Sequence, residues 1–131
     1  MFCPCGKSLS YEQCCGQYID ASTLPKDPET LMRSRYTAFV FNKVDYLANT
    51  MKGKALKDFN FDGLEAWLRQ VKWQRLTVIK SKMTTKTQGY VTFAARYLEK
   101  DIPQMICEKS EFRKIKGKWF YIDGKIKYVS L

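Results

Sequence analysis

The sequence predicts an α+β domain in which helices pack on one face of a curved antiparallel sheet, behind a short cysteine-rich N-terminus. Two observations along the 131 residues predict this class. Up to about residue 71, apolar residues recur near the helical period of 3.6. From Trp73 onward the period falls to two, which indicates strands. Helical segments followed by a run of strands are typical of α+β domains.

Four cysteines open the chain in the pattern C-x-C, eight intervening residues, then C-C. A structural zinc ion takes four thiolates tetrahedrally, and this closed sphere leaves no position for water or substrate. Redox motifs use C-x-x-C instead, and iron–sulfur sites of the Rieske type need histidine, which the chain lacks. The predicted zinc ligands are Cys3, Cys5, Cys14 and Cys15.

Three helices are predicted after a linker at residues 20–26. Asp27 offers an N-cap for the first helix, which has proline at its first position and runs to about Phe41. Asn42 is predicted to cap a short second helix. Asp62 marks the start of a third, amphipathic helix that ends near residue 71.

Four strands are predicted in the second half, and their inward positions alternate cleanly over residues 91–97. Gly117 separates the last two strands and predicts a hairpin. Cys107 lies in an apolar run and is predicted to be a buried small hydrophobic residue. The predicted strands are residues 73–83, 90–99, 105–116 and 118–126.

A sheet curled round helices leaves a cavity, and polar residues are predicted to face it. Buried Glu108 would need a partner, because an unpaired carboxylate is costly in low dielectric, and we predict a structural ion pair with Arg35. The alternative is an enzyme in which Glu108 is a general base, although no histidine is present to help proton transfer. The acid or orienting donor would then be Tyr36 or Tyr97. The predicted lining is Arg35, Tyr36, Tyr97, Glu108, Ser110 and Tyr121, chosen from a polar set that also includes Arg33 and Arg96.

The net charge of +10 lies entirely after residue 50, because residues 1–50 hold five of the 23 basic and five of the 13 acidic residues. Such an excess attracts polyanions. One hypothesis is therefore RNA binding by the C-terminal sheet, with phosphate contacts from Lys114, Lys116 and Lys118. The alternative is a solvated, lysine-rich sheet surface without a ligand.

The sequence shows no apolar run near the roughly 18 residues of a membrane span, and its N-terminus lacks the features of a signal peptide. We therefore expect a cytoplasmic protein. Thiols stay reduced there, which favours a metal site over disulfides.

The cysteine pattern, with proline inside the first pair and glycine after both pairs, resembles the SEC-C motif. That motif occurs at the carboxyl tail of the SecA translocase and in small bacterial proteins. Four further segments are similar to the YchJ-type SEC-C proteins, namely residues 31–40, 95–97, 108–112 and 119–124.

The resemblance implies a SEC-C zinc knuckle at residues 1–19 and a cystatin-like, nuclear-transport-factor-two-like (NTF2-like) cone at residues 27–131. In SecA the equivalent knuckle binds zinc and engages the SecB chaperone and the ribosome. By analogy the resemblance implies a non-enzymatic adaptor that contacts protein or ribosome. A cone cavity that binds a small molecule is the alternative.

Overall fold

Helices fill the first half of the chain and long strands the second in the computed structural model, which describes residues 1–131. The predicted α+β class is confirmed. The helices are α1 Gly16–Ile19, α2 Pro28–Val40, α3 Val44–Asn49, α4 Gly53–Lys57 and α5 Phe61–Leu68; the strands are β1 Val71–Thr85, β2 Gln88–Glu99, β3 Ile102–Ile115 and β4 Lys118–Ser130. None of these helices has the length and hydropathy that a bilayer crossing needs.

The sheet has the order β1-β2-β3-β4, with every neighbouring pair antiparallel. The predicted hairpin at Gly117 is confirmed. Lys116 lies in its turn and not in a strand, because Lys116 and Gly117 both have positive φ, as a two-residue type I′ turn requires. The strands are longer than predicted, since pairing extends beyond the segments that alternate most clearly.

Both edges of the sheet are irregular or covered. Edge strand β1 has register shifts at three places along its pairing with β2. Edge strand β4 is met by the segment after α3, where Tyr121 donates its N–H to the Thr50 carbonyl and accepts from the Lys52 N–H. A bridge between Met51 and Tyr121 joins the same two segments in parallel.

Helix α2 packs its apolar face on the inner side of the sheet. The side chain of Asp27 accepts a hydrogen bond from the Thr30 N–H at 2.8 Å, so the predicted N-cap is confirmed. Leu31 and Met32 are buried at the start of this helix, and Val91 lies fully buried on the strand face that they meet.

The predicted cap of the second helix is wrong, because Asn42 ends α2 and does not begin α3. Its φ of 57° is left-handed, which asparagine tolerates. The N–H of Asn42 donates to the Phe39 carbonyl and the N–H of Lys43 to the Ala38 carbonyl, which is the Schellman arrangement of a helix C-terminus. Helix α3 starts after Lys43 without a side-chain cap.

The third helix begins earlier than predicted. The Asn60 side chain accepts from the Gly63 N–H at 3.0 Å, so Asn60 is the N-cap and Asp62 lies in the first turn. The helix ends at Leu68, and Val71 already belongs to β1. Helices α1 and α4 have four and five residues, too short for a periodic pattern to predict them.

The prediction that Cys107 is buried is wrong. Its neighbours Ile106 and Glu108 line the inner face, so alternation places Cys107 on the outer face, where it is only half-buried. The other four cysteines are all buried. They belong to one continuous core cluster with residues of α2 and of all four strands, such as Leu31, Leu76 and Trp119.

Candidate metal centre and ligand cavity

Four sulfur atoms converge at the N-terminus, in the loop before α1. The Sγ atoms of Cys3, Cys5, Cys14 and Cys15 all lie within 4.8 Å of one another. The Cys5 and Cys14 sulfurs are 3.6 Å apart, and those of Cys14 and Cys15 are 4.0 Å apart. Tetrahedral zinc with Zn–S bonds of about 2.3 Å separates its sulfurs by about 3.8 Å. The cluster could therefore hold a metal ion, and its donor set and spacing fit zinc.

The glycine after each cysteine pair lets the loop fold back on itself. Gly6 has a φ of 96°, a conformation that other residues rarely adopt. At Gly16, an added Cβ would lie 2.8 Å from the Tyr11 carbonyl oxygen. The Cys3 N–H donates to the Leu9 carbonyl at 2.7 Å, which closes the loop between the two cysteine pairs.

Helix α2 supports the cysteine cluster through two polar side chains one turn apart. Arg33 Nη1 donates to the Cys5 carbonyl oxygen at 2.6 Å, and its Nε donates to Glu29 Oε2 at 2.9 Å. The Thr37 hydroxyl lies 3.7 Å from Cys3 Sγ. Arg33 therefore braces the cluster and does not face the cavity. In the sequence, only the i, i+4 spacing of Arg33 and Thr37 indicates that these two side chains lie on the same side of α2.

The crowded thiols have divergent proton affinities. Hydrogen bonds from Cys15 and Cys5 lower the pKa of Cys3. Burial raises the pKa of Cys14 to about 12, and hydrogen bonds to Cys3 and Cys5 raise the pKa of Cys15. Without a bound cation, the cluster therefore favours the protonated thiol form for Cys14 and Cys15. A divalent cation would reverse this preference, because metal ligation requires deprotonated sulfur.

A cavity of about 610 Å³ lies between the inner face of the sheet and helices α2 and α5. Hydrophobic side chains make up 14 of its 19 lining residues, so its walls are mainly apolar. All six side chains predicted to line the cavity do so: Arg35, Tyr36, Tyr97, Glu108, Ser110 and Tyr121. Arg96, by contrast, is exposed on the outer face.

Arg35 is the buried cation of this cavity, with only 7% of its surface exposed. Its Nη1 donates to the Leu47 carbonyl at 2.7 Å and to Thr50 Oγ1 at 2.6 Å. Its guanidinium carbon lies 4.7 Å from the centroid of the Tyr121 ring, which adds a cation–π contact. Burial lowers the pKa of Arg35 to about 10, so the side chain stays charged at neutral pH.

The predicted ion pair between Arg35 and Glu108 is absent, because no nitrogen and oxygen of the two approach within 4.0 Å. Tyr121 joins them instead. Arg35 stacks on the ring of Tyr121, whose hydroxyl donates to Glu108 Oε2 at 2.8 Å. The Ser110 hydroxyl also donates to this oxygen. Burial and the neighbouring Glu108 carboxylate raise the pKa of Tyr121, which keeps its hydroxyl a donor.

Gly124 makes room for this polar end, although it was not among the residues predicted from the sequence to form the site. An added Cβ would lie 2.5 Å from Glu108 Oε2 and 2.8 Å from Glu108 Cδ, and would collide with the Tyr121 hydroxyl. The only signal was a glycine inside a strand pattern, which often marks a close approach by another group.

The other end of the cavity is aromatic. The Trp73 ring packs against four others at centroid distances of 5.3 to 5.9 Å. Two of them are Tyr36 and Tyr97, and neither makes a hydrogen bond to Glu108. The remaining two are Phe39 on α2 and Trp67 on α5, which also line the cavity and were not among the residues predicted to do so.

The model of the family described as "YchJ, middle NTF2-like domain" matches residues 27–124. The chain belongs to the YchJ family. The resemblance noted from the sequence and the NTF2-like fold are both confirmed by this match. A curated relative, the UPF0225 protein Ent638_2310 of Enterobacter sp. (strain 638), is 41% identical over 124 residues, which span 93% of this chain and 81% of the relative.

Two solved structures share the fold of this YchJ-family chain over nearly its whole length. A SEC-C motif-containing protein from Rhodopseudomonas palustris superposes with a TM-score of 0.87 at 32% identity, covering 95% of this chain and 98% of that one. A SEC-C motif-containing protein from Psychrobacter arcticus gives 0.82 at 28% identity, covering 98% and 84%. The similarity to these two SEC-C motif-containing proteins thus extends over 95% and 98% of this chain.

The three lysines predicted to bind phosphate lie together at the β3–β4 hairpin of the YchJ-family chain. Lys114 and Lys116 are exposed, and Lys118 is half-buried with its Nζ 5.3 Å from the Phe120 ring centroid. None of the three pairs with a carboxylate. The hairpin therefore carries three positive charges without a salt-bridge partner.

Proposed function

We propose that this YchJ-family chain is a zinc-stabilised, non-enzymatic binding protein whose cavity takes a small apolar molecule with an amide-like head group. The observation that supports the ligand most directly is Arg35, a buried charged side chain on the wall of an apolar cavity. Such a side chain is costly unless its hydrogen-bonding groups find partners.

The hydrogen bonds of Arg35 are only partly formed within the protein. Nη1 uses both of its N–H groups on Leu47 and Thr50, whereas Nε and Nη2 have no protein acceptor and are not fully enclosed, so an incoming molecule can reach them. A ligand atom that accepts hydrogen bonds would supply the missing acceptor. The polar end of the cavity therefore offers the N–H donors of Arg35 to a ligand.

Glu108 offers the complementary acceptor. Its Oε2 is occupied by Ser110 and Tyr121, while Oε1 has no protein partner. A head group that accepts from Arg35 and donates to Glu108 would match both, as a carboxamide does. A carboxylate would match Arg35 but would be repelled by Glu108. The aromatic end and the apolar walls would hold the body of such a molecule.

Zinc is the metal that we assign to the four cysteines. Four buried thiolates complete its sphere, so the ion would stabilise the fold and leave no position for catalysis. The proposal places the chain in the cytoplasm, where thiols stay reduced.

Adaptor function through the knuckle is a second candidate, favoured by the exposed side chains of Phe2 and Leu9 beside it. Loss of binding to purified SecB or ribosomes in a Phe2→Ser, Leu9→Ser variant would support it.

The ligand proposal can be tested with three compounds that share one aromatic body: 1-naphthaleneacetamide, 1-naphthaleneacetate and 1-methylnaphthalene. Quenching of the tryptophans that line the cavity, Trp67 and Trp73, reports binding. We expect the amide to bind about tenfold more tightly than the hydrocarbon, because one or two hydrogen bonds of about 1 kcal/mol each distinguish them. The acetate should bind more weakly than the amide.

Two variants make the test specific. Arg35→Met should reduce the affinity for the amide to that for the hydrocarbon, and Glu108→Gln should strengthen binding of the acetate by removing the repulsion. Arg96→Met changes the same charge on the outer face and should have no effect. Equal affinity for the three compounds, or no quenching by any of them, would overturn the proposal. If Arg35→Met does not fold, the response of the acetate to Glu108→Gln still decides.

A further inference from the structure

The outer face of the sheet, opposite the cavity, carries a cluster of exposed cations. We call it the outer patch, and each of its members is exposed. It consists of Arg75, Lys80, Arg96, Lys109, Lys125 and Lys127. None of these side chains takes part in a salt bridge.

Strand register explains why these cations share one surface. Lys80 pairs with Thr92, Thr92 with Lys109, and Lys109 with Lys125, so three lysines form one row across all four strands. Arg75 pairs with Arg96 in a second row. Both rows lie on the outer face, because residues next to them along each strand, such as Val91, face the core.

A third row, between these two, is built from small side chains. Thr77 pairs with Ala94 and Ala94 with Cys107, and the row ends at Lys127. The flanking rows at Thr92 and Arg96 are four residues apart on β2, or about 14 Å at about 3.4 Å per residue. The outer patch therefore has a row of three lysines on one side, two arginines on the other, and a strip of small side chains between them that ends at Lys127.

Acidic residues do not neutralise the outer patch. On this face of β3 and β4 the acids are Glu111 and Asp123, which pair with each other in the row beyond Lys109 and Lys125. Glu111 is already engaged by Arg113, at 2.9 Å. None of the six cations has a salt-bridge partner, and Asp123 is the one acid at their margin that no cation engages, so the patch keeps a net positive potential that favours association with a polyanion.

We propose that the outer patch binds the phosphate backbone of single-stranded RNA. Cations that flank a strip of small side chains suit one flexible polyanionic strand, and the hydroxyls of Thr77 and Thr92 among them can donate to phosphate oxygens. The only aromatic ring beside the patch is Tyr90, already covered by the Lys109 ammonium at 4.9 Å. Bases would therefore not stack on the protein, and binding should depend little on sequence. The middle row lacks the bulky apolar side chains that insertion into a lipid surface would use.

The test measures the anisotropy of a fluorescein-labelled, single-stranded RNA of mixed sequence at several salt concentrations. The first variant removes the lysine row and carries Lys80→Glu, Lys109→Glu and Lys125→Glu. The matched control changes the net charge equally at the β3–β4 hairpin and carries Lys114→Glu, Lys116→Glu and Lys118→Glu. Circular dichroism and thermal unfolding check that both variants are folded.

We expect the lysine-row variant to lose at least tenfold in affinity and the hairpin variant less than threefold. The plot of log affinity against log salt should become shallower by about 2 in the lysine-row variant, since each lost phosphate contact removes about 0.7 from the slope for a single strand. Should the lysine-row variant be unstable, Lys109→Gln, Lys125→Gln should show the same order of effects.

Three outcomes would overturn the proposal. Equal losses in the two charge-matched variants would show that net charge alone acts, or that the hairpin binds the RNA. Equal competition by polyglutamate would show a general polyanion effect. Tighter binding to anionic vesicles than to RNA would assign the patch to a membrane surface. Binding should also be insensitive to 1-naphthaleneacetamide, so failure here leaves the cavity proposal standing.

Discussion

Arg33 donates a hydrogen bond from Nη1 to the carbonyl oxygen of Cys5 at 2.6 Å, and this contact ties α2 to the loop of the cysteine cluster. The same side chain is held by Glu29, one turn earlier on α2. The position of one metal-ligand candidate is therefore fixed by a helix that also lines the cavity.

Arg33→Ala should weaken metal retention without removing any sulfur. Outer contacts that orient metal ligands typically change metal affinity by about 10- to 100-fold, and we expect about tenfold here because the contact is to backbone. Competition with a chromogenic zinc chelator measures the effect. Arg69→Ala, at an exposed position after α5, is the control. Unchanged zinc affinity in Arg33→Ala would contradict the bracing role.

Cys14→Ser should abolish binding of one zinc ion per chain, measured by elemental analysis. It should also lower the melting temperature of the whole domain, since the cysteines share a core cluster with the sheet. The matched control is Cys107→Ser, which removes the fifth thiol on the outer face. It should retain zinc. A Cys14→Ser protein with normal zinc content and stability would refute the metal assignment.

Gly124→Ala should disrupt the polar end of the cavity. The new methyl group would displace the Glu108 carboxylate and the Tyr121 hydroxyl, and overpacking of this kind costs about 1–3 kcal/mol of unfolding free energy. Urea denaturation measures the cost, and the preference for 1-naphthaleneacetamide over 1-methylnaphthalene should disappear. Gly117→Ala, strained by its φ of 80° but with nothing within 4 Å of the new methyl, should keep that preference.

Stability should fall as the pH rises above about 10. Burial raises the pKa of Tyr36 and of Tyr46 from 10.0 to about 12, so between these values the folded chain holds protons that the unfolded chain has lost. Their stabilisation is fully present below pH 10 and is lost as the pH rises towards 12. Arg35 has the opposite effect, because its lowered pKa lets it lose its buried charge above about pH 10. It is one group against at least three, since the pKa of Tyr121 is raised as well.

Tyrosinate absorbance near the red edge of the aromatic band tests this pH dependence. Part of the tyrosine signal should appear only above pH 10 in the folded protein, whereas all of it appears near pH 10 in urea. Tyr36→Phe should reduce the delayed part and make the alkaline fall in stability shallower. A folded protein whose tyrosines all titrate near pH 10 would contradict the predicted loss of stability at alkaline pH.

Local features were predictable from the sequence because their causes are local. Asp27 caps α2 through a residue three positions on, and alternation over residues 91–97 needs only one strand to be seen. Asn42 misled the prediction because asparagine serves equally as a helix N-cap and as a left-handed residue after a helix. The choice between these roles depends on the chain direction after α2.

Contacts between distant segments were not predictable in the same way. The cost of burying a carboxylate predicts that Glu108 has hydrogen-bond partners. Only the register of β3 against β4, however, places Tyr121 beside Glu108 and requires a residue without a side chain at Gly124. Arg35 was expected to meet Glu108 directly. It instead finds the carbonyl of Leu47 on α3, a neutral acceptor that no residue pattern indicates.

The two edges of the sheet bear on how the chain avoids aggregation. An open strand edge is a template for another copy, and a sheet of four long strands has two such edges. The register shifts along β1 interrupt the straight ladder that an incoming strand would need. On β4, residues 50–52 already occupy the backbone groups of Tyr121. Strand addition by a second copy is therefore disfavoured near the shifts along β1 and at Tyr121 on β4.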